Sequence, residues 1–184
     1  MREKRTYNEW DFIDLFHELF LIKSSSKMST QHHYKLKTVW QGNRGTGTSG
    51  IKEYDRSHQV TIENKPALNL TTDNPFVGDK TKLNPEDLLV AALSSCHMLS
   101  YLYLCALEGV VIESYEDHAT GTMTELASGG GSFNEVVLNP VFTVTDISMV
   151  DKAIQLHHKA HEICYIASSV NFEVRNNPVC SVVK

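Results

Sequence analysis

The sequence has no excess of basic charge and no long apolar run. Of its 184 residues, 17 are Lys or Arg and 22 are Asp or Glu, so the net charge is -5 at pH 7. A nucleic-acid-binding surface usually needs the opposite imbalance. Residues 88–93 are among the longest apolar runs, and a membrane helix needs about 20 such residues. We therefore expect neither a nucleic acid nor a membrane as partner.

The first residues also lack the features of a targeting peptide. Their apolar run, residues 19–22, is too short for a secretory signal, and no small-residue cleavage site follows it. Asp11, Asp14 and Glu18 are acidic, which argues against a transit peptide. We therefore expect the cytosol, where a cysteine pair is more often catalytic than a permanent crosslink. The four cysteines are Cys96, Cys105, Cys164 and Cys180.

Composition indicates one ordinary folded domain, because 41% of the residues are hydrophobic and 21% are charged. Residues 1–27 differ from the rest: apolar side chains recur at helical spacing, and three serines end the pattern at residues 24–26. We predict an N-terminal arm over 1–27, helical or poorly ordered, and a folded domain over 28–184.

The domain alternates short strands with two helices. The first helix is predicted from its cap Asn84 to about Leu107, and the second from Ser148 to about Ile163. Glycines 129–131 indicate a hairpin between strands at 110–125 and 133–145. Further strands are predicted at 33–40, 51–63, 66–72 and 169–175. Strands in hairpin runs, without βαβ alternation, indicate the α+β class.

Two segments join a helix to a cysteine. Residues 84–96 read Asn-Pro-Glu-Asp-Leu-Leu-Val-Ala-Ala-Leu-Ser-Ser-Cys, and residues 160–164 read Ala-His-Glu-Ile-Cys. Together they resemble the Asn-Pro-Glu…Cys signature and the second-cysteine motif of the OsmC/Ohr family of thiol-dependent peroxidases. The similarity covers residues 33–180. It implies an OsmC-like fold, with antiparallel β-sheets wrapped around a central helix pair in an intertwined homodimer.

The resemblance also implies roles for individual residues. Cys96 corresponds to the reactive cysteine, Cys164 to the resolving cysteine and Glu86 to the family's glutamate. Arg56 best matches the upstream arginine by its spacing to Glu86, and Arg44 is the runner-up. The implied activity is reduction of organic hydroperoxides in oxidative stress defence, with an external dithiol, of the lipoyl type in Ohr proteins, as reductant.

These residue types suffice for the reaction. A thiolate attacks the peroxide, and the sulfenic acid that results condenses with a second thiol to a disulfide. Arginine stays charged and stabilises both thiolate and leaving oxygen, while a carboxylate orients its fork. We therefore expect no metal and no organic cofactor. Apolar helix residues around Cys96 favour organic hydroperoxides over hydrogen peroxide.

The spacing of Glu86 and Cys96 has a geometric consequence. Ten residues along one helix separate them by about 15 Å, too far to share a site in a straight helix. Either the helix bends, or Glu86 completes a site whose cysteine belongs to another copy of the chain. Two-fold symmetry provides the second arrangement, so we predict a homodimer.

Two alternatives use the same segments. His157, His161 and Cys164 lie at i, i+4 and i+7, a plausible metal-binding stripe with His97 or Cys96 as fourth ligand. A solvated helix face with one packed ring is the simpler interpretation of those histidines. The second alternative is a non-catalytic member that binds a hydrophobic ligand in the same pocket.

Cys105 is half a helical turn out of phase with Cys96 and is expected in the core. Cys180 is expected to be a bystander near a loose terminus.

Overall fold

The computed structural model describes residues 30–73 and 78–183, so the predicted arm over 1–27 lies outside the described residues. The elements below all belong to residues 37–184, which form one unit. The strands are β1 (Lys37–Trp40), β2 (His58–Thr61), β3 (Leu68–Leu70), β4 (Ile112–Asp117), β5 (Thr120–Glu125), β6 (Gly131–Leu138), β7 (Pro140–Val144), β8 (Glu173–Asn176) and β9 (Val179–Val182). The helices are α1 (Pro85–Leu107) and α2 (Val150–Ile163).

These strands form three sheets of three strands each, ordered β1-β2-β3, β4-β7-β9 and β5-β6-β8. The predicted hairpin is present: β5 and β6 pair antiparallel, and Gly129 and Gly130 turn the chain at φ 86° and 78°, where an L side chain is strained. The strand predicted over 110–125 is divided into β4 and β5, and the strand predicted over 133–145 corresponds to β6 and β7. The chain passes from one sheet to another at residues 118–119 and again at residue 139. The strands β8 and β9 pair parallel to β6 and β7, and β9 was not predicted.

Helix α1 begins and ends where the sequence predicts. The Asn84 side chain accepts a hydrogen bond from the backbone N–H of Asp87 at 2.7 Å, and the Asp87 carboxylate accepts one from the backbone of Asn84 at 3.1 Å. This reciprocal capping box satisfies two backbone donors that the helix leaves unpaired. Gly109 follows the helix with φ 71°, a conformation that suits glycine just past a helix end.

Helix α2 begins two residues later than predicted, and Ser148 is not its cap. A 3₁₀ turn at Ile147–Met149 precedes it, and Asp146 caps that turn by accepting from the backbone N–H of Ser148 at 2.8 Å. The Ser148 hydroxyl donates to the same carboxylate at 2.6 Å. A carboxylate accepts such bonds more strongly than a hydroxyl, so Asp146 takes the capping position.

Helix α1 belongs to two hydrophobic clusters. Near its N-terminus, Leu93 packs with Val136 and Leu138 of β6. Nearer its C-terminus, Tyr101 and Cys105 pack with the β4-β7-β9 sheet and with α2. The helix therefore ties two sheets to α2, which fixes the position of its buried face.

One stripe of α1 remains exposed. Leu99, Tyr103 and Leu107 recur every four residues and are 61%, 60% and 65% exposed. By length and composition alone, α1 also meets the criteria for a membrane-crossing helix, with a mean hydropathy of 1.6 over 18 residues of which 22% are buried. Counting uninterrupted apolar residues in the sequence did not reveal this property of α1. Ser94, Ser95 and His97 interrupt the apolar run, but they do not make the helix polar as a whole.

Candidate thiol site

The two predicted cysteines are neighbours in the fold. Cys96 lies in the middle of α1, and Cys164 is the residue at which α2 ends. Because the two helices pack against each other, the Cys96 thiol is near enough to raise the pKa of the Cys164 thiol. Both are free thiols. The sequence predicted this juxtaposition from the helix positions and the family motifs.

The two thiols differ in environment. Cys164 is 0% exposed, whereas Cys96 is half-buried. Burial, and after it the neighbouring Cys96 thiol, raises the pKa of Cys164 to about 11, while the backbone N–H of Ala167 at 3.5 Å opposes the shift. Cys164 therefore keeps its proton at neutral pH, and Cys96 is the accessible sulfur of the two.

Cys96 opens onto an apolar cavity of about 540 Å³. The cavity is lined by Ala92, Ser95, Cys96, Leu99, Ser100, Tyr103, Ile163, Tyr165 and Ile166. Its walls come from the exposed stripe of α1 and from the residues around the end of α2. This volume is in the range of ordinary small-molecule sites, and its apolar walls suit an alkyl or aryl group.

Glu86 lies on another side of α1. It lines a second cavity of about 550 Å³ together with Asp87, Ser94 and Asp117, whereas Cys96 does not. The Ser94 hydroxyl donates to Asp117 at 2.5 Å across this cavity. Glu86 and Cys96 of one chain thus line different cavities. This arrangement favours the alternative with a second copy of the chain, which stays a prediction.

The two candidate arginines occupy the segment between β1 and β2. Arg44 is exposed, forms an ion pair with Asp55 at 3.2 Å and donates to the Lys52 carbonyl at 3.1 Å. Arg56 is half-buried, donates from Nη1 to the Tyr54 carbonyl at 2.8 Å, and lies over the Tyr54 ring, with Cζ 4.3 Å from its centroid. None of these contacts joins either arginine to Cys96 of the same chain.

A buried histidine pair lies behind the site and was missed by sequence reasoning. His97 Nε2 and His157 Nδ1 are 2.9 Å apart, and His157 stacks on Tyr101 with ring centroids separated by 3.8 Å. Burial lowers the pKa of His97 to about 4 and that of His157 to about 3. Both rings are therefore neutral at pH 7. Leu93, His97, Tyr101 and Cys105 recur every four residues, and this spacing was the signal that His97 is buried.

The metal alternative gains no support from this arrangement. His157 directs Nδ1 to His97, and Cys164 lies beside Cys96. Among the described residues, no group of three or more His, Cys, Asp or Glu side chains is arranged to hold a metal ion. On this face of α2, the ring of His157 is thus packed in the interior, and its neighbour His161 is partly solvated.

The other two cysteines belong to the hydrophobic cluster nearer the C-terminus of α1. Cys105 is 1% exposed, as predicted for a core residue. Cys180 was expected to be a bystander near a loose terminus; the terminus is not loose there, because Cys180 lies in β9 opposite Phe142 and packs against the core. The parallel pairing of β9 with β7 brings it there, and no local pattern announced that pairing.

Comparison with known proteins supports the fold and the family. The family model of the OsmC-like proteins matches residues 78–177, which include α1 and both cysteines. An OsmC-like protein of unknown function from Vibrio cholerae is 30% identical, with a TM-score of 0.72 over 81% of this chain and 100% of that one. No curated protein sequence matches the chain.

Two organic hydroperoxide resistance proteins share the fold at lower identity. That of Legionella pneumophila is 17% identical, with a TM-score of 0.60 over 83% of this chain and 99% of that one. OhrB of Bacillus subtilis is 18% identical, with a TM-score of 0.56 over 80% and 98%. The α+β fold, the paired cysteines on two packed helices and the match over more than half of the sequence lead to one conclusion: the chain belongs to the OsmC-like protein family.

Proposed function

We propose that this protein reduces organic hydroperoxides through a catalytic pair of thiols, Cys96 and Cys164. One observation carries the proposal: an accessible sulfur at the wall of an apolar cavity lies beside a second, fully buried thiol whose pKa it raises. A lone nucleophile would not need that second thiol. Two family relatives of the same fold are organic hydroperoxide resistance proteins, which favours this activity over passive ligand binding.

The proposed cycle has three balanced steps. The Cys96 thiolate attacks the outer oxygen of ROOH, which breaks the O–O bond and gives Cys96–SOH and RO⁻, and the latter takes a proton to become ROH. The Cys164 thiol then displaces hydroxide from that sulfenic acid, giving the Cys96–Cys164 disulfide and water. An external dithiol reopens the disulfide by exchange and leaves as its own cyclic disulfide.

The charged groups of this proposal come from a second copy of the chain. Glu86 and Cys96 of one chain line different cavities, and the stripe Leu99, Tyr103 and Leu107 beside Cys96 is exposed. A two-fold dimer would cover that stripe and bring the partner's Arg56 and Glu86 to Cys96. There Arg56 would favour the thiolate and stabilise RO⁻, and Glu86 would hold the guanidinium by a bidentate contact.

Arg56 is favoured over Arg44 for that role. The charge of Arg44 is already paired with Asp55. Among the described residues, Arg56 has no carboxylate partner, and one of its N–H groups is used by a backbone carbonyl. It therefore retains charge and donors for a substrate.

The cycle needs a supply of reduced dithiol, so we place the protein in the cytosol.

The test follows both sulfurs through one turnover without reductant. Pre-reduced wild-type protein should consume one equivalent of tert-butyl hydroperoxide and lose about 2 Da as the disulfide forms. Cys164→Ser should consume the same equivalent and stop at a sulfenic acid that dimedone traps. Cys96→Ser should consume none. Cys180→Ser, a thiol outside the pair, is the matched control and should match the wild type.

The proposal fails if Cys96→Ser consumes peroxide at the wild-type rate. It fails equally if wild-type protein consumes none, in which case a bound hydrophobic molecule in the 540 Å³ cavity becomes the better explanation of the same walls.

A further inference from the structure

The backbone around Arg56 contains a β-bulge. His58 lies opposite Trp40, and farther along the same two segments Tyr54 lies opposite Asn43. Between these two pairs, one segment has three residues, 55–57, and the other has only two, 41 and 42. A bulge of this kind leaves one residue without a ladder partner and changes the direction of its side chain. Arg56 sits in the middle of the three.

Hydrogen bonds fix the bulge on both sides of Arg56. The backbone N–H of Asp55 donates to the Gly42 carbonyl at 2.8 Å, and that of Gln41 donates to the Ser57 carbonyl at 2.8 Å. Gly42 also permits a very close approach: a Cβ on it would lie 1.7 Å from the Asp55 carbonyl oxygen. The main chain of Arg56 is thus held between two pinned neighbours.

Aromatic rings hold the rest of Arg56. Its guanidinium lies over the Tyr54 ring, with Cζ 4.3 Å from the centroid, and Nη1 donates to the Tyr54 carbonyl. Trp40 meets Tyr54 edge to face, with ring centroids 5.6 Å apart and planes at 86°. The indole N–H of Trp40 donates to the Asp55 carbonyl at 2.7 Å. Tyr54 is therefore fixed from one side by Trp40 and contacts Arg56 on another.

This contact differs chemically from an ion pair. An aromatic face attracts a guanidinium but forms no hydrogen bonds with its N–H groups. A carboxylate takes up donors of the guanidinium that it holds, as Asp55 does with Arg44. The Tyr54 ring takes up none, so beside the proposed Glu86 contact Arg56 keeps N–H groups for an anionic group of the substrate.

We propose that Tyr54, braced by Trp40, is a positioning residue that holds the Arg56 guanidinium ready for the thiol site. The inference rests on the proposed function, in which Arg56 serves Cys96. It adds a residue that touches neither the sulfur nor the peroxide, and it assigns the work to the ring of Tyr54 rather than to its hydroxyl.

The test is a double-mutant cycle read as kcat/KM for an organic hydroperoxide. Tyr54→Leu should lower kcat/KM about tenfold, the range of a partly desolvated cation–π contact. Tyr54→Phe keeps the ring and should stay within about twofold of the wild type. In an Arg56→Gln background, Tyr54→Leu should have no further effect, because the group it positions is already gone.

Two further readouts separate positioning from general damage to the fold. The pH dependence of Cys96 alkylation by iodoacetamide should move to higher pH in Tyr54→Leu and Arg56→Gln, and not in Tyr54→Phe or in the control Arg44→Gln. Thermal unfolding measures the stability of each variant. If Tyr54 acts by positioning Arg56, the losses of kcat/KM should not follow the losses of thermal stability.

Each outcome discriminates. If Arg56→Gln impairs the enzyme while Tyr54→Leu does not, or if the two losses multiply, the positioning role is overturned and the proposed function stands. If Arg56→Gln leaves kcat/KM and the alkylation profile unchanged, the role of Arg56 in the proposed function is overturned and this inference with it. A coupled loss, restored by Tyr54→Phe, supports both.

Discussion

At the scale of single residues, the buried imidazoles are the groups most sensitive to acid. His97 is 2% exposed and His157 is 1% exposed; the two rings contact each other, and His157 also stacks on Tyr101. His97 Nδ1 and His157 Nε2 have no hydrogen-bond partner in the described structure. A positive charge placed there would therefore be buried with those nitrogens unpartnered, and Asp117 offsets only part of the cost at His97.

The pair should make the protein less stable in mild acid. Both histidines are neutral when folded, with pKa values of about 4 and 3, and bind protons when unfolded near pH 6.5. Their stabilising contribution is complete above pH 6.5 and is lost as the pH falls towards 4. With two protons taken up on unfolding, the free energy of unfolding should fall by up to about 2.7 kcal/mol per pH unit.

Urea unfolding at fixed protein concentration between pH 7.5 and 4.5 measures this dependence. The matched control is His158→Gln, which removes an exposed imidazole from the same helix and should leave the slope intact. A free energy of unfolding that is flat between pH 6.5 and 5 would contradict the assignment, because carboxylates with ordinary or lowered pKa values titrate below that window.

At the scale of elements, the segment joining β1 and β2 depends on one close backbone contact. Gly42 is buried, and its carbonyl accepts from Asp55 while its α-carbon faces the Asp55 carbonyl. Nearby, Asn43 accepts from the backbone N–H groups of Gly45 and Gly47 at 2.8 and 3.0 Å, so its side chain orders the turn. The conformation that presents Arg56 is thus determined by local contacts.

Gly42→Ala should disrupt this segment. The new Cβ would lie 1.7 Å from a backbone oxygen that has no rotamer with which to move away. We expect a loss of about 1–3 kcal/mol of unfolding free energy, measured by urea unfolding, together with reduced peroxide turnover. Gly50→Ala is the control, since its Cβ meets only the flexible Glu53 side chain at 3.1 Å. Equal stability of the two variants would refute the close-contact argument.

The elements also show how far the sequence alone could lead. Caps and motifs are local, so α1, the hairpin over residues 129–131 and the approach of Cys96 to Cys164 were predictable. The parallel strand β9 was not, because its pairing with β7 is set by residues nearly 40 positions away. The placement of Glu86 away from Cys96 followed from helix geometry, whereas the Tyr54–Arg56 contact depends on a bulge that no pattern of apolar residues encodes.

At the scale of the whole molecule, the proposed site requires two chains. The extensive packing within the described residues joins α1, α2 and the sheets β4-β7-β9 and β5-β6-β8. All four residues of β1 are exposed, as is the stripe of α1 beside Cys96. Apolar side chains left uncovered on two elements favour a second copy as the partner.

Subunit complementation tests whether the site is shared. Cys96→Ser and Glu86→Gln proteins should each be inactive or strongly impaired. A mixed dimer, formed by unfolding and refolding them together, carries one site with both native residues. Random pairing then restores about a quarter of wild-type activity. Arg56→Gln refolded with Glu86→Gln is the matched control, because both changes fall on the subunit that would supply the charges. Each mixed site retains one defect, so its activity should not rise above that of the two variants alone.

No recovery in the Cys96→Ser and Glu86→Gln mixture, with dimers verified by light scattering, would show that the two residues act within one chain. A monomer at all working concentrations would remove the shared site altogether.

The strands β8 and β9 complete two sheets whose other strands precede them by 30 residues or more. During synthesis on the ribosome, α1 and its cysteine emerge well before the strands that close the layers packed on them. A stalled nascent chain that ends before residue 173 would expose the lateral edges of β6 and β7, each able to recruit a foreign strand. For this topology, the interval between translating residues 144 and 182 is when chaperone protection matters most.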